Sequence, residues 1–239
     1  MKIAILGYGK MGRAIEKIAL NRGHEIVLKI HRKNQEQLNL KNLSQADVVI
    51  DFSIPDSAKE NILLAINANT PIISGTTGWL DHYDEVAKYC TEKKSAFLYA
   101  SNFSLGVNLF FELNKNLAQL MKTHQQYQID MTEIHHTQKL DAPSGTAISL
   151  AEQIISENEI KNKWTLDDTN SDEQIIIDAQ REGNVPGTHV VNYKSEIDTI
   201  TIKHEAHSRE GFAFGAVIAA EWIQNRKGVF SMHDVLFSS

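Results

Sequence analysis

The sequence predicts an α/β protein in which a Rossmann-type domain with a parallel sheet precedes an α+β domain with a largely antiparallel mixed sheet. Three observations predict this fold class. Short apolar runs alternate with helical spacings over the first hundred residues, as in the crossover units of a parallel sheet. A glycine-rich turn, Gly7 to Gly12, directly follows the first apolar run. After Ser104 the pattern changes to amphipathic helices and a group of strand-like segments.

Five strands and three helices are expected in the first half. The strands are predicted at 2–6, 25–30, 46–53, 71–74 and 96–100. Apolar residues recur every three or four positions from Met11, and Gly23 is expected to end this helix. A second helix is expected to be capped by Asp56, and a third covers 81–94. The segment 34–45 is too polar for a long buried helix.

The second half is expected to contain two long helices, four strands and a terminal apolar helix. The predicted elements are a helix at 105–124, a strand at 127–133, a helix starting near Ser144, strands at 174–180, 188–193 and 197–204, and a helix at 212–224 closed by Gly228. The last three strands are expected to form an antiparallel meander, since turn sequences such as N-V-P-G join them. The acidic segment 166–173 is expected to be a solvated loop.

These elements predict two domains. Residues 1–104, completed by 210–239, are expected to bind a dinucleotide, and residues 105–209 are expected to bind the substrate and carry the catalytic residues. Closure between the domains is expected, with hinges near Ser104 and Arg209.

Composition excludes several classes of function. The net charge of −6 argues against a nucleic-acid-binding surface. No apolar run approaches the roughly 20 residues that span a bilayer, and the N-terminus lacks the features of a signal peptide. The single cysteine, Cys90, cannot form an internal disulfide and lies in no nucleophile motif. We therefore expect a cytoplasmic protein.

The glycine turn predicts a dinucleotide site. Gly7 permits the tight turn, Gly9 lets a pyrophosphate approach the backbone, and Gly12 allows the helix to pack closely on the strand. The N-terminus of the following helix offers N–H groups and the positive end of its dipole to phosphates. The spacing is informative here because it lies between the first strand and the first helix of an alternating pattern.

The end of the second strand indicates which cofactor is used. His31, Arg32 and Lys33 occupy the position where an acid normally binds the 2′-hydroxyl of NADH, and no carboxylate occurs before Glu36. Cations there, Arg32 above all, favour a 2′-phosphate, so we expect NADPH to be used at least as well as NADH. The alternative is a solvated basic loop. Hydroxyl-rich turns follow the fourth and fifth strands, where a nicotinamide ring is expected.

The segment from Glu133 to Ala147, E-I-H-H-T-Q-K-L-D-A-P-S-G-T-A, is the candidate catalytic region. An imidazole titrates near neutral pH and is a natural proton shuttle, although one histidine of an adjacent pair on a strand normally faces away. Lys139 is a candidate proton donor or carboxylate partner. Ser144, Gly145 and Thr146 begin a helix, where N–H groups bind anions.

Alternatives remain at each of these positions. A serine at a helix start is often only a cap, a loop lysine is often only solvated, and one histidine of the pair can be a core residue. The spacing does not match a metal-ligand set, so we predict no metal. His204, His207 and Arg209 form a second polar cluster, which either borders the site or ends a strand.

These motifs together resemble those of the dihydrodipicolinate reductase family, over nearly the whole chain. The matching segments are the glycine turn, D-F-S (51–53), G-T-T-G (75–78), A-S-N-F-S-x-G-V-N (100–108), E-I-H-H-x-x-K-x-D-A-P-S-G-T-A (133–147), H-E-A-x-S-R (204–209) and F-A-x-G-A (212–216). The compact G-x-G-x-x-G and the short span between the second and third strands depart from the family. Both departures concern the adenosine half of the cofactor site.

The resemblance implies an activity and a role for each matching position. The family reduces 4-hydroxy-tetrahydrodipicolinate to tetrahydrodipicolinate with NADH or NADPH and loss of water, in lysine and diaminopimelate biosynthesis. His135 corresponds to its proton donor and acceptor, Lys139 to its proton donor, and His136, Gly145 and Thr146 to substrate-binding positions. The positions that correspond to cofactor contacts are Gly7, Tyr8, Gly9, Lys10, Met11, Gly12, Gly75, Thr76, Thr77, Ala100, Ser101, Asn102 and Phe103. Members of the family are commonly homotetramers, built through the sheet of the second domain.

Two rival functions are open. A non-catalytic NADPH-binding sensor would have lost the catalytic segment, which is intact here. The other is a different two-domain reductase that acts on an imine or an amino-acid aldehyde. An aldehyde dehydrogenase of that layout would need a nucleophilic cysteine, and Cys90 lies in no suitable motif.

Overall fold

The structure is a computed structural model that describes residues 1–167, 171–208 and 210–238. It divides into two compact units, Met1–Leu105 with Glu210–Ser239, and Gly106–Arg209. Part of the predicted acidic loop, 168–170, lies outside the described residues. So does Arg209, which was predicted to lie near a hinge and in the second polar cluster.

The first unit is built on a parallel sheet. Its strands are β1 (Lys2–Leu6), β2 (Glu25–Ile30), β3 (Val48–Asp51), β4 (Ile72–Ser74), β5 (Ala96–Tyr99) and β11 (Gly228–Phe230). The strand order is β11-β5-β4-β3-β1-β2, with parallel pairing throughout. The predicted Rossmann-type sheet is therefore confirmed.

Helices cover both faces of this sheet. They are α1 (Lys10–Asn21), α2 (Leu40–Leu43), α3 (Pro55–Asn67), α4 (Tyr83–Glu92), α7 (Glu210–Ile223) and α8 (Met232–Phe237), with 3₁₀ turns at Gln35–Gln37 and Leu80–His82. One apolar core lies between the sheet and α1 with α7, and the other lies between the sheet and α3 with α4. Every residue of β3 is buried, as is typical of a central parallel strand.

Two details of the first unit differ from the prediction. Ile54 is the N-cap of α3 and Pro55 its first residue, so Asp56 lies in the first turn and is not the cap. Proline fits that first position because no helical partner exists there for a backbone N–H. Gly228 begins strand β11, which extends the sheet by pairing with β5, rather than closing the preceding helix.

The second unit combines a five-stranded sheet with two helices. Its elements are α5 (Leu105–Met121), β6 (Gln128–His135), α6 (Gly145–Glu157), β7 (Lys163–Thr165), β8 (Gln174–Arg181), β9 (Gly187–Lys194) and β10 (Thr199–Ala206). The order is β10-β9-β6-β8-β7. Apolar side chains of α5 and α6 pack on one face of the sheet.

The predicted antiparallel meander of the last three long strands is confirmed for β9 and β10 but wrong for β8, which does not pair with β9. The sheet is mixed: β9 pairs antiparallel with β10 and with β6, whereas β8 pairs parallel with β6 and with β7. Strand β6 lies between β8 and β9, which are neighbours in sequence but not in space. A strand such as β6, with apolar residues at its centre, is favoured where both of its edges pair with other strands. The turn sequences near β8 and β9 do not indicate that β6 lies between them.

Strand β6 is also longer than predicted. It continues from Gln128 to His135, two residues beyond the expected end at Glu133. Ile129, Met131, Glu133 and His135 alternate along one buried face. The extension decides the geometry of the catalytic segment, because it places Glu133 and His135 on the same side of the sheet.

Candidate active site

The carboxyl ends of the strands in the first unit form a cleft of about 850 Å³. Its lining includes Gly7 to Gly9, His31 to Lys33, and Phe52 to Ile54 with Asn61. Gly7 has φ +87°, and a Cβ there would lie 2.1 Å from the carbonyl oxygen of Phe52. The turn after β1 therefore requires glycine and lies against the turn after β3.

The N-terminus of α1 is open to an anion. Within the described residues no side chain caps this helix, and a Cβ at Gly9 would have no neighbour within 4 Å. A Cβ at Gly12 would lie 2.6 Å from the carbonyl oxygen of Gly7, so the helix packs directly against the turn. Exposed backbone N–H groups beside a dipole end are the features that bind a pyrophosphate.

Not every residue of the glycine turn offers its side chain to a ligand. The Tyr8 hydroxyl donates a hydrogen bond to Glu16, and the side chain of Met11 packs against the core. Lys10 is exposed. Arg32 is exposed beside the cleft, together with Arg13, which sequence reasoning did not single out although it is a cation one turn into α1.

The turn after β4 holds Thr76 inward and Thr77 outward. The Thr76 hydroxyl donates to Asp51 Oδ2 at 2.7 Å and accepts from the backbone N–H of Ser53 at 2.9 Å. The Thr76 hydroxyl therefore makes its hydrogen bonds within the protein, whereas Thr77 is exposed. Gly75 packs against the Phe52 ring, since a Cβ would lie 2.3 Å from a ring carbon.

The residues of the turn after β5 also differ in how far they are buried. Phe103 is buried in the core with its ring 5.5 Å from that of Phe52. Ala100 donates its N–H to the Ser74 carbonyl at 3.2 Å, and Asn102 Oδ1 accepts from the N–H of Ser104 at 2.9 Å. Ser101 is exposed at the carboxyl edge of the sheet.

In the second unit a buried carboxylate organises the catalytic segment. Glu133 is fully buried, and its Oε2 is hydrogen-bonded to Nδ1 of His135. Its Oε1 accepts from Arg181 Nη2 at 2.8 Å and from the backbone N–H of Ser144 at 3.2 Å. Burial alone would raise the pKa of Glu133, but hydrogen bonds from His135 and Arg181 outweigh it and hold the pKa below its ordinary value. Glu133 is therefore ionised.

The second ring nitrogen of His135 faces a glycine. A Cβ at Gly187 would lie 3.0 Å from His135 Nε2. Because Glu133 engages Nδ1, Nε2 is the ring nitrogen that Glu133 leaves unengaged. The missing side chain at Gly187 leaves room beside that atom.

His189 on β9 is a neighbour that sequence analysis missed. Its ring lies 5.2 Å from that of His135, and its Nε2 lies 3.0 Å from Ser144 Oγ. Burial, with the nearby charge of His135, lowers the pKa of His189 to about 3, so this imidazole is neutral. The only signal in the sequence was its place in a predicted strand, and that does not reveal which strand lies beside β6.

The start of α6 presents backbone rather than a serine side chain. Ser144 is buried and caps the helix by accepting from the N–H of Ala147 at 3.2 Å. Gly145 is exposed, with no neighbour within 4 Å of a Cβ placed there, and Thr146 is half-buried. Of the three predicted anion-binding residues, Gly145 and Thr146 lie at the surface, whereas Ser144 links the helix to Glu133 and His189.

Lys139 and His136 lie just beyond β6. Lys139 Nζ is 2.7 Å from Asp141 Oδ2, and this ammonium lowers the pKa of Asp141. Lys139 donates its backbone N–H to the carbonyl of half-buried His136 at 3.0 Å. His204, on β10, stacks on Phe110 with ring centroids 5.9 Å apart, and burial lowers its pKa. His207 is exposed.

Glu133, His135 and His189 also have the chemistry of metal ligands, with one ligand atom of each within 4.8 Å of the others. Both carboxylate oxygens of Glu133 already accept hydrogen bonds, and Arg181 adds a positive charge there. This arrangement favours a hydrogen-bonded proton-transfer network.

Comparison with known proteins decides the family. The model of the N-terminal part of dihydrodipicolinate reductase matches residues 1–103, and the model of its C-terminal part matches residues 106–236. The chain belongs to the dihydrodipicolinate reductase family. Among its relatives, the 4-hydroxy-tetrahydrodipicolinate reductase of Christiangramia forsetii is 53% identical over 99% of this chain and 98% of its own. That of Rickettsia bellii is 37% identical over 95% and 90%.

The fold agrees with that of a solved member of this family. Dipicolinate-bound dihydrodipicolinate reductase from Paenisporosarcina sp. TG-14 matches with a TM-score of 0.79 over 99% of both chains, at 24% identity. A probable dehydrogenase from Thermotoga maritima matches with a TM-score of 0.57 at 10% identity, over 98% of this chain and 92% of its own.

Membership of the dihydrodipicolinate reductase family gives the reaction. The chain is an oxidoreductase that reduces 4-hydroxy-tetrahydrodipicolinate in lysine and diaminopimelate biosynthesis, with a nicotinamide dinucleotide as reductant. Within the described ranges, no helix has both the length and the apolar character needed to cross a bilayer.

Proposed function

We propose that the second unit binds the cyclic imine dicarboxylate and that His135 delivers the proton that completes its reduction. The observation that carries this proposal is the orientation of His135: Glu133 engages Nδ1, and Gly187 leaves space at Nε2. A histidine held at one nitrogen and open at the other has the geometry of a general acid or base.

Backbone and cationic groups of the same unit are suited to the substrate's negative charges. The N–H groups of Gly145 and Thr146 at the start of α6, the Lys139 ammonium and the His136 imidazole would hold the carboxylates. Binding of dipicolinate, a ring dicarboxylate, by the Paenisporosarcina relative supports this choice of ligand. Lys139 would exchange Asp141 for a substrate carboxylate.

The first unit would hold the cofactor through the Gly7–Gly12 turn, the Gly75–Thr77 turn and the Ala100–Phe103 turn. The open N-terminus of α1 and the cleft beside it fit a dinucleotide. The bound cofactor supplies a hydride to the ring carbon from which hydroxide departs as water. The product of that step is enamine-like and gains its proton from His135 or Lys139.

Two substitutions test the proton-transfer roles. His135→Gln and Lys139→Ala are each expected to lower turnover by about a hundredfold, within the range for general acid–base catalysis. The assay is NADPH oxidation with freshly generated product of dihydrodipicolinate synthase, and exposed Gln138→Ala is the matched control. Near-normal turnover in both variants would remove these residues from the mechanism.

We further propose that NADPH serves at least as well as NADH. Arg32 and Lys33 line the cleft, and in the described part of the chain no carboxylate pairs with either of them. Arg32→Ala is expected to raise KM for NADPH about tenfold, the scale of one charge-assisted contact, with little change for NADH. A tenfold preference of the unaltered enzyme for NADH would refute this assignment.

A cytoplasmic homotetramer is the assembly we propose, on the strength of the family and of the sheet face opposite α5 and α6. Side chains on that face include the exposed Thr199, Thr201, Lys203 and Glu205 of β10. Light scattering should give about four times the mass of one chain, and cell fractionation should find the enzyme with cytoplasmic markers.

A further inference from the structure

Asp51 is a buried carboxylate for which the reaction described above has no use. It ends β3 and is fully buried. Among the described residues no lysine, arginine or histidine forms an ion pair with it. Burial raises the pKa of Asp51 even though hydrogen bonds to its carboxylate oppose that shift. Burying a carboxylate without a paired charge costs free energy, so the position of Asp51 requires an explanation.

Several side-chain donors converge on this carboxylate. Asn61 Nδ2 donates to Oδ1 at 2.9 Å, and the hydroxyls of Ser74 and Thr76 donate to Oδ2 at 2.9 and 2.7 Å. Asp51 also accepts from the N–H of Gly75 through its backbone carbonyl, at 2.9 Å. The end of β3 is thus bonded to the last residue of β4 and to two successive residues of the turn that follows it.

The same bonds join this turn to the turn after β3. The Thr76 hydroxyl that donates to Asp51 accepts from the backbone N–H of Ser53, and Phe52 packs against Gly75 from the other side. The conformation of Gly75 to Thr77 is therefore fixed by Asp51 on one side and by an aromatic ring on the other. Exposed Thr77 thus follows two residues that are held in place by these contacts.

The strand order indicates which part of the cofactor would lie at the Gly75–Thr77 turn. Strand β1, with the phosphate turn, lies between β2 on one side and β3 and β4 on the other. The cations of His31–Lys33 mark the β2 side of the cleft as the phosphate-rich adenosine end. A dinucleotide that crosses the carboxyl ends of the strands then places its nicotinamide at β3 and β4.

We propose that Asp51 is a positioning residue, whose carboxylate holds the Gly75–Thr77 turn in the conformation that orients the nicotinamide for hydride transfer. This inference rests on the cofactor site proposed above. Hydride transfer depends on the alignment of donor and acceptor, and a misplacement of about 1 Å can cost about a hundredfold in rate. A turn held by hydrogen bonds to a buried carboxylate resists such displacement.

Asp51→Asn is the principal test. The amide has one acceptor oxygen instead of two, and its NH₂ group would face hydrogen-bond donors. We expect kcat to fall about tenfold or more, and the primary isotope effect with NADPH deuterated at the transferred position to rise, because hydride transfer becomes slower than product release. The NADPH Kd, from cofactor fluorescence, is expected to change less than threefold.

Two further variants separate positioning from folding. Asp47→Asn makes the same change at the exposed amino end of β3 and is expected to leave kcat and the isotope effect unchanged. Thr76→Val removes the hydroxyl that bonds to Asp51 but keeps the shape of the side chain. It is expected to reproduce the effect of Asp51→Asn on kcat and on the isotope effect. In the double variant the two effects should not add. If Asp51→Asn does not fold, the kcat and isotope effect of Thr76→Val test the proposal instead.

The outcomes are distinct. A kcat and isotope effect equal to those of Asp47→Asn would overturn the proposal, and so would a change confined to the NADPH Kd. If the unaltered enzyme fails to bind NADPH in the fluorescence titration, the cofactor site is wrong and the role of Asp51 falls with it.

Discussion

Glu133 shows how one residue sets the state of another. Its carboxylate engages His135 Nδ1 with one oxygen and holds Arg181 and the start of α6 with the other. A carboxylate at Nδ1 holds a proton on that nitrogen and stabilises an imidazolium, which would donate its other proton from Nε2 in the proposed reaction. The proposed proton donor and the proposed anion-binding helix start are thereby held by the same side chain.

Replacing Glu133 by Gln should misdirect His135. The Gln amide nitrogen would donate to Nδ1, which moves the imidazole proton to Nε2. We expect kcat to fall by about a hundredfold with a smaller change in KM, because a neutral imidazole without a carboxylate partner is a much weaker proton donor than an imidazolium paired with one. Nitrogen-15 spectra of the imidazole should show the change of tautomer directly.

The control for this prediction is Glu182→Gln, which makes the same change at an exposed position one residue beyond β8. It should keep kcat and the wild-type spectrum. A Glu133→Gln enzyme with an unaltered His135 tautomer would contradict the orienting role.

At the scale of elements, strand β6 and the start of β9 build the proposed catalytic pocket together. The period of two along β6 brings Glu133 and His135 to one face, and pairing with β9 places His189 and Gly187 beside them. Gly187 has φ +156°, a backbone conformation that side chains rarely adopt. The strand therefore begins with a residue at which any side chain would crowd His135 Nε2.

Gly187→Ala should lower kcat by about tenfold or more, because the added methyl would crowd Nε2 of His135. Gly183→Ala is a matched control in the same loop. It too has a positive φ, +45°, but a Cβ there meets nothing within 4 Å. Both variants should lose about 1 kcal/mol of stability through backbone strain. Equal activity in the two would show that space beside Nε2 is unimportant.

On the scale of the whole molecule, a buried neutral histidine makes folding depend on pH. The folded pKa of His189 is about 3, below the roughly 6.5 expected in the unfolded chain. Between these values the unfolded chain binds a proton that the folded chain does not. Stability should therefore be complete above about pH 6.5 and fall as the pH drops toward 3, by up to about 1.4 kcal/mol per unit.

His189→Gln removes this dependence while keeping a hydrogen-bonding group near Ser144. Urea unfolding at pH 6.5 and 4.5 should show that the variant loses about 2 kcal/mol less stability over that interval than the unaltered chain. Exposed His207→Gln should retain the wild-type loss. Equal losses in all three proteins would mean that His189 is not held neutral.

Local patterns determined much of this protein. Alternating strands and helices predicted the Rossmann-type sheet, glycine spacing predicted the turn after β1, and the motif from Glu133 to Ala147 carried the family and its reaction. Each of these depends on residues close in sequence, where backbone conformation, side-chain period and motif spacing can be inferred without knowing the rest of the chain.

Only the tertiary structure decided which distant residues meet. Strand β6 pairs with both β8 and β9, so Arg181 and His189 reach Glu133 and His135, although nothing near either residue in sequence indicates it. Asp51 likewise meets Thr76 because β3 and β4 are adjacent. Strand pairing depends on how whole faces are buried, which no short segment encodes, and that is why the orienting residues could not be predicted where the motif itself could.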